Sequence, residues 1–170
     1  RPMRSQIFPW GFPWIAGVRR RKLEQHNTLI RRSLKACDLA HDVGVPFFLE
    51  HPEDLGKTRG QWPASIWQLQ ETKQLAAKSG AHRLAVHQHW FGAPYLKPTA
   101  LLTTCIPSPD FPVIGWPRFS KNGHYLGPLQ KEMCTPMLVG SEKTPDSAAY
   151  PHLMNKAMAA MFITTLSIRR

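Results

Sequence analysis

Apolar residues recur along this chain at helical spacing in some stretches and as short, dense runs in others. From Arg19 to Val43, Leu23, Ile30, Leu34 and Cys37 follow one another at helical intervals, with Asn27 and His41 on the same stripe, which predicts an amphipathic helix. Gly44 supplies a left-handed position to end it. Val45-Pro46-Phe47-Phe48-Leu49 then follows at once, a short apolar run of the kind that forms a buried strand in a parallel sheet. Broken by Pro52, the run closes on Glu50-His51-Pro52-Glu53-Asp54, so the strand is expected to deliver Glu50 to the carboxyl edge of the sheet. Open α/β folds keep their ligand crevices there.

Downstream, Trp62-Pro63-Ala64-Ser65 predicts the start of a second helix reaching about Lys78, with Ile66, Leu69 and Ala76 on its apolar side and Gly80 as its stop. His82 to Trp90 alternates in part and suits a strand, broken at Gly92-Ala93-Pro94. Leu101 to Thr104 suits a further strand, a hairpin-like addition to the parallel sheet. Residues 106–146 are rich in proline but still carry aromatic and aliphatic side chains, which describes an irregular excursion rather than a low-complexity tail. A closing helix is expected from Tyr150 to Ser167, with Met154, Met158 and Met161 on one stripe and Phe162 and Leu166 beside it as core filler. At the other end, Phe8-Pro9-Trp10-Gly11-Phe12-Pro13-Trp14 cannot form a regular helix, because its prolines remove amide donors and restrict their neighbours. It is expected to be an extended arm packed by its tryptophans, although exposed aromatics beside arginines also suit base stacking. The pattern describes one domain: an arm over 1–18, an α/β core over 19–104, a Pro-rich irregular region over 105–148 and a closing helix over 149–170.

A chain of 170 residues with 42% hydrophobic content is long enough for one real core and short for two. No apolar stretch approaches the roughly 18 residues of a membrane span, and no secretory leader precedes the fold. Charge changes the picture most. The net charge is +11, and residues 1–35 hold nine Lys or Arg against Glu24 alone. Such a block attracts polyanions, so Arg19, Arg20, Arg21, Lys22, Arg31 and Arg32 are candidate phosphate-backbone contacts. The same block also fits a solvated basic helix, or a tail docked on an acidic protein or lipid face. Lys97-Pro98-Thr99 offers a cation and a hydroxyl on a restrained turn, suited either to holding a phosphate or to pinning a loop onto the sheet.

Among carboxylates, Glu50 is the candidate for chemistry. Burial at a strand end raises a carboxyl's pKa and lets it hand a proton to a heterocycle nitrogen, while the competing role is to cap the turn that follows, which is also the expected role of Glu53 and Asp54. His87 and His89, at i and i+2 on a strand, would face one side as two metal ligands do. No third ligand is evident, so no metal is assigned. Cys37, Cys105 and Cys134 are odd in number and lack C-x-x-C spacing, which supports neither a disulfide framework nor a zinc knuckle and fits a reducing intracellular compartment. No G-x-S-x-G elbow and no phosphate-cradling glycine loop is present.

Taken in order, Arg4-Ser5, Phe8-Pro9-Trp10-Gly11, Asn27, Phe48-Leu49-Glu50-His51-Pro52, Ser65-Ile66-Trp67, Gly92 and Lys97-Pro98-Thr99 resemble the latter part of the DNA methyltransferase-like proteins spread by phages and mobile elements. The likeness runs over about residues 4–104, and Tyr150-Pro151 through Ala159 is similar to the family's closing helix. In the family the strand-end motif is Glu-Asn-Pro or Glu-Asn-Val, followed by Ser-x-Trp and, after a further strand, a Lys-Pro-Thr turn. The resemblance implies a partial Rossmann-like sheet with flanking helices, an aromatic arm and a long Pro-rich excursion, with Glu50 where the family's glutamate contacts the target cytosine. His51 stands in place of the usual Asn. The family's S-adenosylmethionine loop and its Pro-Cys nucleophile both lie upstream of the matched part, and none of the three cysteines here follows a proline. The expectation is therefore a truncated or degenerate methyltransferase-like domain that does not catalyse by itself. Glu50 is vestigial or a proton donor to a base, Arg19, Arg20, Arg21, Lys22, Arg31, Arg32, Lys97 and Thr99 face nucleic acid, and no cofactor binds unless an upstream segment or another chain completes an S-adenosylmethionine site. An accessory subunit packed into a larger protein assembly is the alternative.

Overall fold

The computed structural model describes residues 2–58, 60–130 and 149–169. Within them the fold is mixed α/β: helices α1 (Gly17–Asp42), α2 (Gln70–Ser79) and α3 (His152–Arg169), and strands β1 (Phe48–Pro52), β2 (His82–His87), β3 (Pro98–Thr103) and β4 (Val113–Ile114). The strands form one sheet in the order β1-β3-β2-β4.

The helical stripe of α1 is the one its periodicity predicts. Leu23, Asn27, Leu34 and Cys37 are buried, and Ile30 and His41 are half-buried on the same side. The stop is a Schellman motif: Gly44, at φ +74, donates its N–H to His41 O (3.0 Å), and Val45 N–H reaches Ala40 O (2.8 Å). The second helix is shorter than expected. Residues 62–65 are not helical, the extended Ser65 caps a single 3-10 turn at Ile66–Gln68 by accepting from Trp67 N–H, and the α-helix begins only at Gln70. Trp67 is drawn into the core with its indole N–H on Pro52 O (2.9 Å), which fixes this turn off the helix axis. Gly80 closes α2 in the left-handed conformation.

The sheet corrects the expected topology. Its three pairings, β1 with β3, β2 with β3 and β2 with β4, are all antiparallel, so the sheet is not the parallel one expected. β1 and β2 do run in the same direction, joined through α2, but β3 returns from β2 as a hairpin and inserts between them. The residues decide this. Ala100, Leu101 and Leu102 of β3 have no exposed surface, as a central strand covered on both faces requires. β1 ends in Pro52, which cannot donate to a second neighbour and belongs at an edge. β1 also begins later than expected, at Phe48, with Val45 exposed.

Two cores sandwich the sheet. On one face Leu49, Ala100 and Leu102 pack with Leu34 and Cys37 of α1 and Leu75 of α2 around Trp67. On the other, Leu84 and Leu101 pack with Met154 and Met161 of α3 and with Phe111. The methionine stripe is thus core filler, as its spacing suggests.

The amino-terminal arm is not extended. It turns back on itself, with Gly11 N–H on Phe8 O (3.1 Å) and Phe12 N–H on Met3 O (3.1 Å), and is clipped to α1 by Asn27. That side chain accepts from Arg4 (2.6 Å) and donates to Trp10 O (2.8 Å). Trp10 packs against the core under Arg31, whose guanidinium lies 4.6 Å from the ring centre. Trp14 is 69% exposed, so it does not act as a core plug. It stacks on Phe12 instead (4.8 Å). In the Pro-rich region, β4, Phe111 and Leu129 anchor residues 105–130, while Cys134, Pro136 and Pro145 lie outside the described residues.

A buried ion pair ties these parts together. Arg83 of β2 meets Glu53, just past β1, with both side chains wholly inaccessible. Arg83 Nη1 also donates to Gly115 O (2.8 Å), its guanidinium lies against Trp67 (4.5 Å) and Trp116 (5.6 Å), and Glu53 accepts from the Tyr125 hydroxyl (2.9 Å). Removing one partner strands a buried charge. Arg83→Met is expected to cost about 3–5 kcal/mol in urea unfolding, and Arg83→Met combined with Glu53→Leu should cost less than the single change. Equal losses would show that the stranded carboxylate is not what destabilises the single variant.

Candidate functional site

Glu50 sits in the middle of β1, opposite Leu101 of β3, not at the sheet's carboxyl edge. Alternation along the strand turns it, with Phe48, toward the α3 face, and Leu49 and His51 toward the α1 and α2 face. There it is half-buried, accepts a hydrogen bond from the Tyr150 hydroxyl just before α3, and feels the charge of Lys97. Desolvation pushes its carboxyl above the ordinary carboxylate range, and the Tyr150 hydrogen bond and Lys97 offset this only in part. The tyrosine hydroxyl is pushed up in turn by burial and by the carboxylate it faces. A carboxyl that keeps its proton to higher pH than usual is suited to donate to a ring nitrogen. Its position works against that role. A cleft of about 260 Å³ beside the end of β1 is lined by His51, Pro52, Glu53, Asp54 and Ser65, and Glu50 is not among its lining residues.

The neighbouring acids divide. Asp54 caps the turn as expected, accepting Gly56 N–H (3.0 Å) and the Gln68 amide (2.6 Å). Glu53 is instead the buried partner of Arg83. His51, half-buried with its Nδ1 3.2 Å from Pro52 O, packs edge-on to Trp67. Burial holds its pKa below the usual histidine value.

Thr99 has no exposed surface, and its hydroxyl accepts from Gln88 Nε2 (3.1 Å) and donates to Lys97 O (3.1 Å). It pins the 88–97 loop to the sheet and does not present its hydroxyl to a phosphate. Lys97 is half-buried near Glu50. His87 ends β2, whereas His89 lies in the 3-10 turn Gln88–Phe91, so the two are not strand neighbours on one face; their ring centres are 5.6 Å apart. Among the described residues no group of three potential ligands forms. The two described thiols, Cys37 and Cys105, are poor nucleophiles: burial raises Cys37 to about 11 and pushes Cys105 up as well.

On α1, Arg19, Arg20, Arg21, Lys22, Arg31 and Arg32 are all exposed. Helical geometry places Arg21 and Arg32 opposite the buried stripe, with Lys22 on its flank, and Arg19 and Arg20 around the first turn. Arg20 is paired with Glu24 (2.7 Å), and Arg31 covers Trp10.

Tyr150, Tyr125 and Arg83 went unassigned from sequence. Arg83 did leave a signal, a cation within the strand His82-Arg83-Leu84-Ala85-Val86, where burial demands a partner. The tyrosines left none.

Because Glu50's folded-state pKa is raised, its contribution to stability is fully present below its ordinary value of 4.5 and is lost as pH climbs through the raised value. The stability of the wild type relative to Glu50→Gln is expected to fall as pH rises above 4.5, read from urea midpoints across the series. Parallel curves would remove the buried carboxyl as the cause.

No family model, curated protein or solved structure matches the chain.

Proposed function

We propose that the chain is a nucleic-acid-binding domain of methyltransferase-like kind that does not transfer methyl groups with its own residues. The observation that carries this reading is the basic face of α1: Arg21, Lys22 and Arg32 line its solvent side, Arg19 and Arg20 flank its start, and Lys35 extends the row. Closely spaced cations on a rigid helix match the regular phosphates of a nucleic-acid backbone and gain binding free energy by releasing counterions.

The methyltransferase-like part rests on the order of the sequence motifs, as does the Rossmann-like ancestry of the sheet. The absence of catalysis is supported by the two buried, high-pKa thiols and by a Glu50 engaged with Tyr150 inside the fold. S-adenosylmethionine would then belong to a segment or chain that completes the site. A second reading, an accessory subunit in a protein assembly, is favoured by Val18, Leu29, Leu39 and Val43, which are exposed on the same outer stripe of α1.

Retention on immobilised DNA distinguishes the two. Nucleic-acid binding predicts an affinity that falls steeply with salt, and neutralising Arg19, Arg20, Arg21 and Lys22 to Gln should reduce the slope of log K against log salt by about 0.9 for each phosphate no longer neutralised. Retention that ignores salt would rule the first reading out. Self-association or partner capture abolished in Leu29→Gln with Leu39→Gln would support the second.

A further inference from the structure

Away from α1 and from Glu50, two clefts meet on the far side of α2. The first, of about 760 Å³, lies between α2 and the hairpin spanning residues 118–127, and is walled by Trp62, Trp67, Trp116 and Phe119, with Gln68, Lys73 and the buried Asp54, whose carboxylate is taken up by Gln68 and Gly56, at its polar side. The second, of about 820 Å³, shares Trp62 and Gln6 with the first and is lined by Lys57, Lys121 and His124, with no acidic residue. We propose that these joined clefts form a nucleotide site, in which the aromatic cleft stacks a nucleobase and the cationic cleft holds its phosphate.

Four features select that ligand class. The aromatic walls are held rigid by packing: the half-buried Trp62 stands edge-on to Phe119 (5.0 Å between ring centres), and the half-buried Trp116 is braced edge-on by the buried Trp67 (6.3 Å), so Trp62, Trp116 and Phe119 offer fixed surfaces for a flat ring. The Arg83 guanidinium already lies against Trp67 and Trp116 from within, and Lys73 stands at the rim, so a cationic ligand such as a methylated ammonium is disfavoured. On the side chains lining the first cleft, two buried polar atoms have no hydrogen-bond partner among the described residues: the Trp62 indole Nε1, a donor, and Gln68 Oε1, an acceptor. The amide's orientation follows from its Nε2 donating to the Asp54 carboxylate (2.6 Å), which leaves the carbonyl oxygen over. Both lie just beneath the cleft surface, and a side-chain rotation that uncovers them would present one donor and one acceptor to the edge of a heterocyclic base, which carries both. Finally, Lys57, Lys73 and Lys121 take part in no ion pair among the described residues, so their charge is available to a phosphate. The site is independent of the basic face of α1. Its ligand is either a free nucleotide or one unit of a single strand, since a base stacked in a duplex cannot enter the cleft.

Tryptophan fluorescence of the full chain, titrated with AMP, adenosine and a short single-stranded oligoadenylate, tests the site. Saturable quenching by AMP is expected, weakened about tenfold or more in Trp116→Ala. Lys57→Gln with Lys121→Gln, both surface changes, should weaken AMP while leaving adenosine unchanged. Tighter binding of the oligomer than of AMP assigns the site to single-stranded nucleic acid, and equal binding assigns it to a free nucleotide. The variant with Arg19, Arg20, Arg21 and Lys22 neutralised should keep its AMP response, so failure of the α1 reading and failure of this one are told apart. No saturable quenching by any of the three ligands, or the same AMP affinity in the folded lysine variant as in wild type, overturns the proposal.

Discussion

The Glu53–Arg83 pair is the constraint around which the rest of the structure is arranged. Neither side chain touches water, and taking two such charges out of solvent costs several kcal/mol each before their attraction is counted. The fold meets that cost by surrounding both groups. Arg83 donates to Gly115 O and lies against two indoles, and Glu53 accepts from Tyr125, whose hydroxyl in turn accepts Leu129 N–H (3.0 Å). These partners come from two parts of the chain, the turn that holds Trp67 and the segment 115–129. A pair of this kind adds little net stability over an apolar pair of the same shape. What it does here is tie the 115–129 segment to the sheet, because Gly115, Trp116 and Tyr125 all contact the two charged groups. The aromatic wall of the cleft beside α2 is a consequence, since Trp67 and Trp116 are held by the cation behind them.

The same pair explains how the acidic run after β1 is spent. Read as a row, Glu50, Glu53 and Asp54 look like a cluster of carboxylates at one sheet edge. In the fold they point three ways: Glu50 toward Tyr150 and Lys97, Glu53 toward Arg83, and Asp54 back onto its own turn and Gln68. The residue types suit acid–base work, but they do not converge on one reacting position, and convergence is what such chemistry needs.

How much of this the sequence revealed depended on whether the deciding interaction was local. The limits of α1 were legible because the Leu23, Asn27, Leu34, Cys37 stripe and the Gly44 stop both act within a few residues. The Gly80 stop, the β2–β3 hairpin and the methionine core of α3 were legible for the same reason. The direction of the sheet was not. An apolar run such as Val45 to Leu49 reads alike whether its neighbour runs parallel or antiparallel, and what settled the order was the apolar centre of β3, some fifty residues later in the chain, outcompeting Pro52-terminated β1 for the middle of the sheet. The burial of Thr99 and the pairing of Glu53 were hidden for a like reason, each depending on a partner supplied by another strand or loop. The basic face of α1 could be read because charge on one side of a helix needs no partner to be placed.

The placement of acids also bears on what the surface offers. Formal charge counts every carboxylate equally, but among the described residues Glu53 and Asp54 are buried, Glu50 is half-buried, Glu24 is tied to Arg20, and Asp38 and Asp42 share Lys78. Few negative groups therefore remain to offset the cations of α1 or those of the Lys57 and Lys121 cleft. The two cationic regions also differ in form. On α1 the charges stand along an open helix beside exposed aliphatic side chains, a geometry that follows a backbone and reads no base. Beside α2 they adjoin an aromatic cleft, the geometry on which the proposed nucleotide site rests. A protein that tracked a strand through the first and held a base in the second would need both, and the buried Arg83, by fixing Trp67 and Trp116, is the group on which the second depends.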